Sequence, residues 1–481
     1  MTYRLIRLIA AAALLTNATP AHAETPVSSS DPARMVLAMA DISAAPDPDP
    51  AGSSAYPASP GSSAEPASPA QRFALFGQST FTAMGTLGFR DPYDGPQSVS
   101  PHELRETFDA TLFAGMRPWS GGEIWATLEV DQGFGVGNTH GLAGFPSGEA
   151  YKLGQAQPYI RVQRLFWRQT IALGGESTTV EAAANQLAGT QTANRLVLTL
   201  GKFSVVDVFD TNKYAHDPRG DMLNWTLIDA GAFDYGGDPW GFTYGGAAEL
   251  TIGPWTARAG GFALTAVPGG MEVAADFSYF QLVGEIEHRH ALGGHPGAVR
   301  GAIWANHGRI GRYADAVAWG IANATAPDVS QVQITPRTRL GGYINAEQEL
   351  TGSLGLFARA SHADGRYAAF DFTDVDTSVS AGLSLTGKSW HRADDTVALA
   401  AVVNTISKDA QAYFAAGGMG ILIGDGVLPR PGAERIIETS YTWRPAKPVA
   451  ITFDAQVIAN PAYNRDRGPV ALYGVRLHAA F

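Results

Sequence analysis

The chain ends Ala471-Leu472-Tyr473-Gly474-Val475-Arg476-Leu477-His478-Ala479-Ala480-Phe481. Ala471, Tyr473, Val475, Leu477, Ala479 and Phe481 fall on one side of a two-residue period, and Leu472, Gly474, Arg476, His478 and Ala480 on the other. This is a strand with an unbroken apolar face opposite a mostly polar, partly charged one. It stops on an aromatic side chain at the very C-terminus, where a soluble domain usually frays. One face suited to hydrocarbon and one to water is the pattern of a transmembrane β-barrel strand.

The same alternation recurs upstream from Arg72 in segments of about ten residues. They fall near 73–84, 105–117, 122–132, 157–168, 195–202, 241–252, 254–264 and 277–289. The rest fall near 298–308, 338–349, 352–363, 376–387, 395–406, 434–444, 448–459 and 469–481, which makes sixteen. Val449, Ile451, Phe453, Ala455 and Val457 oppose Thr452, Asp454 and Gln456 in the cleanest of them. Long connections (85–104, 133–156, 203–240, 309–337, 364–375, 407–433) alternate with short ones such as Gly253-Pro254. External loops and periplasmic turns alternate in this way when both chain ends lie inside. Segment 167–194 is long where a short turn is expected, and its Val180–Ala188 portion reads as a small helix under the barrel. The expectation is an all-β fold: a transmembrane antiparallel barrel of about sixteen strands with inward-folding loops.

Bulk composition agrees without announcing it. Mean hydropathy is −0.05, because outward and lumenal residues average out. Charged residues are 16%, below the quarter usual for soluble proteins, so a large wetted surface is disfavoured. A net charge of −11 argues against nucleic acid as a partner, and zero cysteines exclude a disulfide scaffold and thiol chemistry. Residues 1–23 read as a cleaved secretory signal: Arg4 and Arg7, an apolar Leu8–Leu15 run, then Ala21-His22-Ala23. Residues 24–70 are rich in Pro, Ala and Ser and cannot bury a core, so a spacer is expected there. The barrel then occupies 71–481, in the outer membrane of a Gram-negative cell, with lipid and lipopolysaccharide around it.

Lumenal candidates follow from the alternation. Arg117, Glu123, Glu129, Asp131, Arg258, Glu285, Glu287, Arg289, Glu347 and Arg359 sit between apolar neighbours and should point inward. An Arg or Lys facing mid-bilayer lipid would cost about 2–4 kcal/mol. The sharpest chemistry lies in 202–244, where Lys202, Asp207, Asp210, Lys213, Arg219, Asp221 and Trp225 stand among further aspartates and aromatic rings. Such a mixture suits a sugar, whose hydroxyls pair with charged groups while its C–H faces lie on rings. It equally suits an external loop locked by its own salt bridges.

Gly201-Lys202-Phe203-Ser204-Val205-Val206-Asp207-Val208-Phe209-Asp210, Asn224-Trp225 and Asp229-Ala230-Gly231-Ala232-Phe233-Asp234-Tyr235 resemble the carbohydrate-selective porins of the OprB type. Arg168–Gly175 and Asn185–Gly189 are similar too, and the likeness covers most of 72–481. The resemblance implies sixteen strands, inward loops that narrow the channel, and small sugars diffusing passively through it. It implies a charged constriction at Arg117, Glu129, Lys202, Asp207 and Asp210, and the porin class suggests a homotrimer. No cofactor or metal is expected. His288, His290 and His295 read as rim residues, and Asp371, Asp374 and Asp376 lack the pattern of a Ca²⁺ loop. No G-x-S-x-G or H-E-x-x-H motif marks an enzyme. The alternatives are a general diffusion porin without a sugar site and a surface adhesin or receptor barrel.

Overall fold

The computed structural model describes residues 71–150 and 154–481; the expected signal and spacer lie outside the described residues. The first eight strands are β1 (Phe73–Thr86), β2 (Leu104–Met116), β3 (Gly122–Gly133), β4 (Gln155–Val180), β5 (Gly189–Phe203), β6 (Thr243–Ile252), β7 (Trp255–Ala263) and β8 (Phe280–Leu292). The others are β9 (His295–Gly308), β10 (Arg337–Thr351), β11 (Leu354–Ala363), β12 (Thr377–Gly387), β13 (Arg392–Thr405), β14 (Glu434–Ala446), β15 (Val449–Ala459) and β16 (Val470–Ala480). Each pairs antiparallel with its neighbours, and β1 closes on β16 in the register Gln78↔Ala480 to Thr86↔Leu472. The terminal Phe481 completes the seam, exchanging two 2.8 Å backbone bonds with Gly77. Every expected strand is present.

The two faces separate as the alternation requires. Tyr473, Val457, Phe453, Ile437, Ile344 and Ile303 are each about half exposed or more on the outside. Their neighbours along the strands, among them Arg476, Gln456, Asp454, Glu438 and Asn345, are buried inside. Among the described residues no helix is long and apolar enough to cross a membrane, so any crossing is made by strands.

One feature departs from the expected outline. Residues 180–188 are not a helix: β4 runs on through Val180, and the tip is a tight turn bridged between Ala183 and Gln186. A nine-residue alanine-rich run is too short to nucleate a helix when a partner strand is available on each side. The segment 204–242 between β5 and β6 is an inward-folding loop of the kind expected. It folds into the lumen and is buried almost throughout, with Val205, Phe209, Ala215, Leu223 and Phe233 at 1% exposure or less.

Inward wall side chains hold that segment. Asp210 accepts from Asn345 Nδ2 (2.6 Å), Arg359 Nε (3.1 Å) and the Ala230 amide (2.6 Å). Further along, the Lys213 amide donates to Glu347 (2.7 Å), and Glu438 accepts from the Leu223 and Asn224 amides (2.6 and 2.9 Å). Arg476 donates to the carbonyls of Pro218 and Asp221, and Asp234 pairs with Arg339 at 2.9 Å. A buried charge is tolerated only when paired and hydrogen-bonded, so these contacts fix the path of the segment. Asp210→Ala leaves Arg359 without its carboxylate and should cost about 3–5 kcal/mol. It should lower the heat-modifiability temperature on gels and raise single-channel conductance; unchanged values for both would contradict the anchoring role.

Candidate functional site

The inward segment leaves two water-accessible chambers. Both reach the short-turn end: the larger, about 710 Å³, is lined by Arg117, Glu123, Arg168, Arg195, Glu249 and Arg258 among others, and the smaller touches Lys447, Pro448 and His478 there. The smaller, about 270 Å³, is lined by Glu129, Arg219, Asp221, Trp225, Tyr235 and Trp240 among others. Four residues border both: Arg164, Ala184, Asn185 and Asp207. They form the border that the two chambers share, the throat.

The throat is built on an ion pair. Arg164 donates to both oxygens of Asp207, Nη2–Oδ1 2.6 Å and Nε–Oδ2 2.8 Å, a bidentate fork. Asp207 ends a short 3-10 turn, where its carboxylate also accepts the Ser204 amide at 2.9 Å. Burial pushes the Asp207 carboxyl up, but the charge and hydrogen bonds of Arg164 more than offset this and hold it below the usual range. On the other side Arg164 lies 4.8 Å from the ring centre of Phe242.

On the smaller-chamber side of the throat, charge and aromatic faces meet. Glu129 accepts from Arg161 (2.7 Å), Gln163 (2.7 Å), Thr111 (2.8 Å) and Arg219 (3.2 Å). Trp225 stacks on Phe145 (5.0 Å) and Phe372 (5.6 Å), and Phe372 on Tyr235 (4.8 Å). Arg161 sits 4.9 Å over the Trp240 ring, whose Nε1 donates to the Tyr159 hydroxyl at 2.8 Å. The Asp221 carboxylate takes the His216 and Asp217 amides at 2.9 and 3.0 Å. Its pKa is raised to about 6, by burial first and then by the Asp217 charge.

Of the residues named from sequence, Glu129, Asp207, Arg219, Asp221 and Trp225 border the smaller chamber. Arg117 lines the larger one and spends its guanidinium on Glu123 (2.8 Å) and on the carbonyls of Gln71, Leu187 and Ala188. Asp210 is a buried anchor that borders neither chamber. Lys213 is exposed at the short-turn end, its ammonium 3.5 Å from Glu349. Lys202 corrects the expectation most directly. It shares the outward side with Leu200, Leu165 and Tyr244, and reaches the Val162 carbonyl (3.2 Å) and the Asp238 carboxylate (3.0 Å). Residue parity puts it outside the channel.

Arg164 was missed for a local reason. Thr127 pairs with Arg164 but Leu128 pairs with Val162, so a bulge inserts one residue and both Gln163 and Arg164 reach inward. Strict alternation assigns them to opposite faces. Phe145 and Phe372 come from loops whose approach to the lumen no local pattern announces. Among the described residues no group of three or more metal-binding side chains comes together. Asp371, Asp374 and Asp376 instead accept from Thr265 (2.6 Å), the Leu422 amide (2.7 Å) and Arg339 (3.1 Å). His290 and His295 pair with Gln348 and Glu349 at the rim.

Comparisons with known proteins agree with this architecture. A family model described as carbohydrate-selective porin, OprB family, matches residues 98–481. A high-pH structure of Pseudomonas putida OprB superposes with TM-score 0.64 at 14% identity, covering 85% of this chain and 94% of that one. The outer-membrane channel DcaP of Acinetobacter baumannii is similar at TM-score 0.46 and 12% identity, over 85% of this chain and 97% of that one. The likeness to the former shows the fold. No curated protein sequence matches the chain.

The Asp221 carboxyl loses its charge as pH falls through about 6, which removes one negative charge from the smaller chamber. Reversal potentials in a KCl gradient should therefore show less cation preference at pH 5 than at pH 7.5. Asp221→Asn should remove most of that pH dependence; an unaltered pH response in this variant would assign the titration elsewhere.

Proposed function

The chain belongs to the OprB family of carbohydrate-selective porins, and from that premise we propose the route a sugar takes through it. It is a sugar-selective porin, and its closed barrel is an outer-membrane barrel. The family is one of channels rather than enzymes, and no bond is made or broken in the proposed passage. A small sugar enters the smaller chamber, lays its C–H face against the rings around Trp225, and exchanges water for hydrogen bonds to Glu129, Arg219 and Asp221. It then passes beside the Arg164–Asp207 pair and leaves at the periplasmic end, which both chambers reach. Gradient alone drives it.

The observation that carries this reading is the inward segment itself. A sixteen-stranded porin can leave a broad aqueous lumen. Here 204–242 occupies the bore, and what remains is bordered by charged and aromatic groups at hydrogen-bonding range of one another. That arrangement favours recognition over unselective diffusion. Lys202, Asp210 and Lys213 have no direct solute role in this scheme; Asp210 and Lys213 shape the path and Arg117 supports the exit. Residues 1–23 direct export and 24–70 act as a spacer. The outward apolar belt would meet lipid and lipopolysaccharide, and a homotrimer is the assembly proposed.

Liposome swelling tests the route. Glucose should enter faster than a zwitterionic amino acid of similar mass. Asp207→Asn removes a charged acceptor at the throat, a change of about 1.5 kcal/mol, so the glucose preference should shrink roughly tenfold. Equal rates for the two solutes in the wild-type protein would support a general diffusion porin instead.

A further inference from the structure

The β4–β5 hairpin is longer than the wall it belongs to. β4 pairs with β3 only up to Gln169, and β5 pairs with β6 only from Arg195. Beyond those points, residues 174–180 and 189–194 pair with each other alone. A two-stranded ribbon free of neighbours can bend, and this one does so at a defined place. The register shifts twice between Ala172 and Ser177, and Gly174 and Gly175 take φ of +98° and +90°. A Cβ at Gly174 would meet nothing within 4 Å, so the backbone conformation alone asks for glycine there.

Past the bend the tip re-enters the barrel. Leu187 is 1% exposed and belongs to the buried cluster containing Phe113, Trp125 and Phe166, inward residues of β2, β3 and β4. The Asn185 carbonyl accepts from Arg168 at 2.8 Å, and its side-chain oxygen from Thr127 at 3.3 Å. Arg117 clamps the other shoulder through the Leu187 and Ala188 carbonyls, and Gln71 exchanges hydrogen bonds with Ala188. Asn185 itself has φ +60°, a left-handed turn position that asparagine tolerates better than most residues. The two central residues of this turn, Ala184 and Asn185, are the ones that border both chambers.

We propose that this inward-turned hairpin is the periplasmic jaw of the throat, and that Asn185 at its tip touches the passing solute and helps set the size limit. The opposing jaw is the Arg164–Asp207 pair, which shares with the hairpin tip the border of the two chambers. An amide in that position offers a sugar hydroxyl both a donor and an acceptor while adding no charge. Size exclusion then depends on a periplasmic element as well as on the inward loop.

The chain contains no cysteine, which makes the test direct. Asn185→Cys, reconstituted in planar bilayers, should react with a trimethylammonium-ethyl methanethiosulfonate reagent and lose at least half its KCl conductance. Glu176→Cys, on the exposed shoulder of the same hairpin, should react without that loss. Complete labelling at 185, confirmed by mass, with unchanged conductance would overturn the proposal, as would a thiol at 185 that the reagent cannot reach. Arg117→Gln should independently raise the swelling rate with a trisaccharide at least severalfold; no change would speak against the jaw. The conductance arm uses salt alone, so it stands or falls apart from the question of sugar preference.

Discussion

The sheet has to close. A strand edge in hydrocarbon would leave a row of backbone N–H and C=O groups without partners, at several kcal/mol each. The seam between β1 and β16, finished by the two bonds between Gly77 and Phe481, removes that edge. Once the ring is closed, every second residue must face inward, and the polar side chains on the alternate positions acquire a shared interior. They can be solvated there by water or by protein. In this chain much of the solvation is protein.

That second fact makes the barrel a selective channel instead of an open tube. Asp210, Asp234, Glu438 and Arg476 are each buried, and each bonds wall to inward segment. Some charges that hold the segment, such as Asp210 and Asp234, are shut away from the chambers, whereas others border them. Glu129, Arg219, Arg164 and Asp207 keep a face on the chambers while balancing one another. Paired charges of this kind can hydrogen-bond a neutral polyol without presenting a net attraction for ions. Solutes compete with water for geometry, and aromatic faces beside the pairs reward a ring.

The fold was legible because one rule, alternation, applies along every strand from Phe73 to Ala480. It gave inward directions for Glu129, Arg258, Glu285 and Arg359 without any further information. The same rule fails wherever a strand is irregular. The bulge beside Gln163 hid Arg164. Lys202 is the opposite case: alternation puts it outside, and only its charge and the family likeness suggested the lumen. Asp210 and Trp225 came from the right segment, yet only the folded path separates an anchor from a chamber wall. The hairpin tip was read as helix because Ala182-Ala183-Ala184 looks helical locally, while the pairing that overrides it lies across the ribbon.

The central claim is that the space left beside the inward segment recognises sugar. Single-channel current through the wild-type protein in KCl, recorded while glucose is added, tests it most directly. The account predicts a saturable, concentration-dependent fall in current with added noise, as bound sugar displaces ions from the throat. A current that follows only the bulk conductivity of the sugar solution, up to molar glucose, would contradict it.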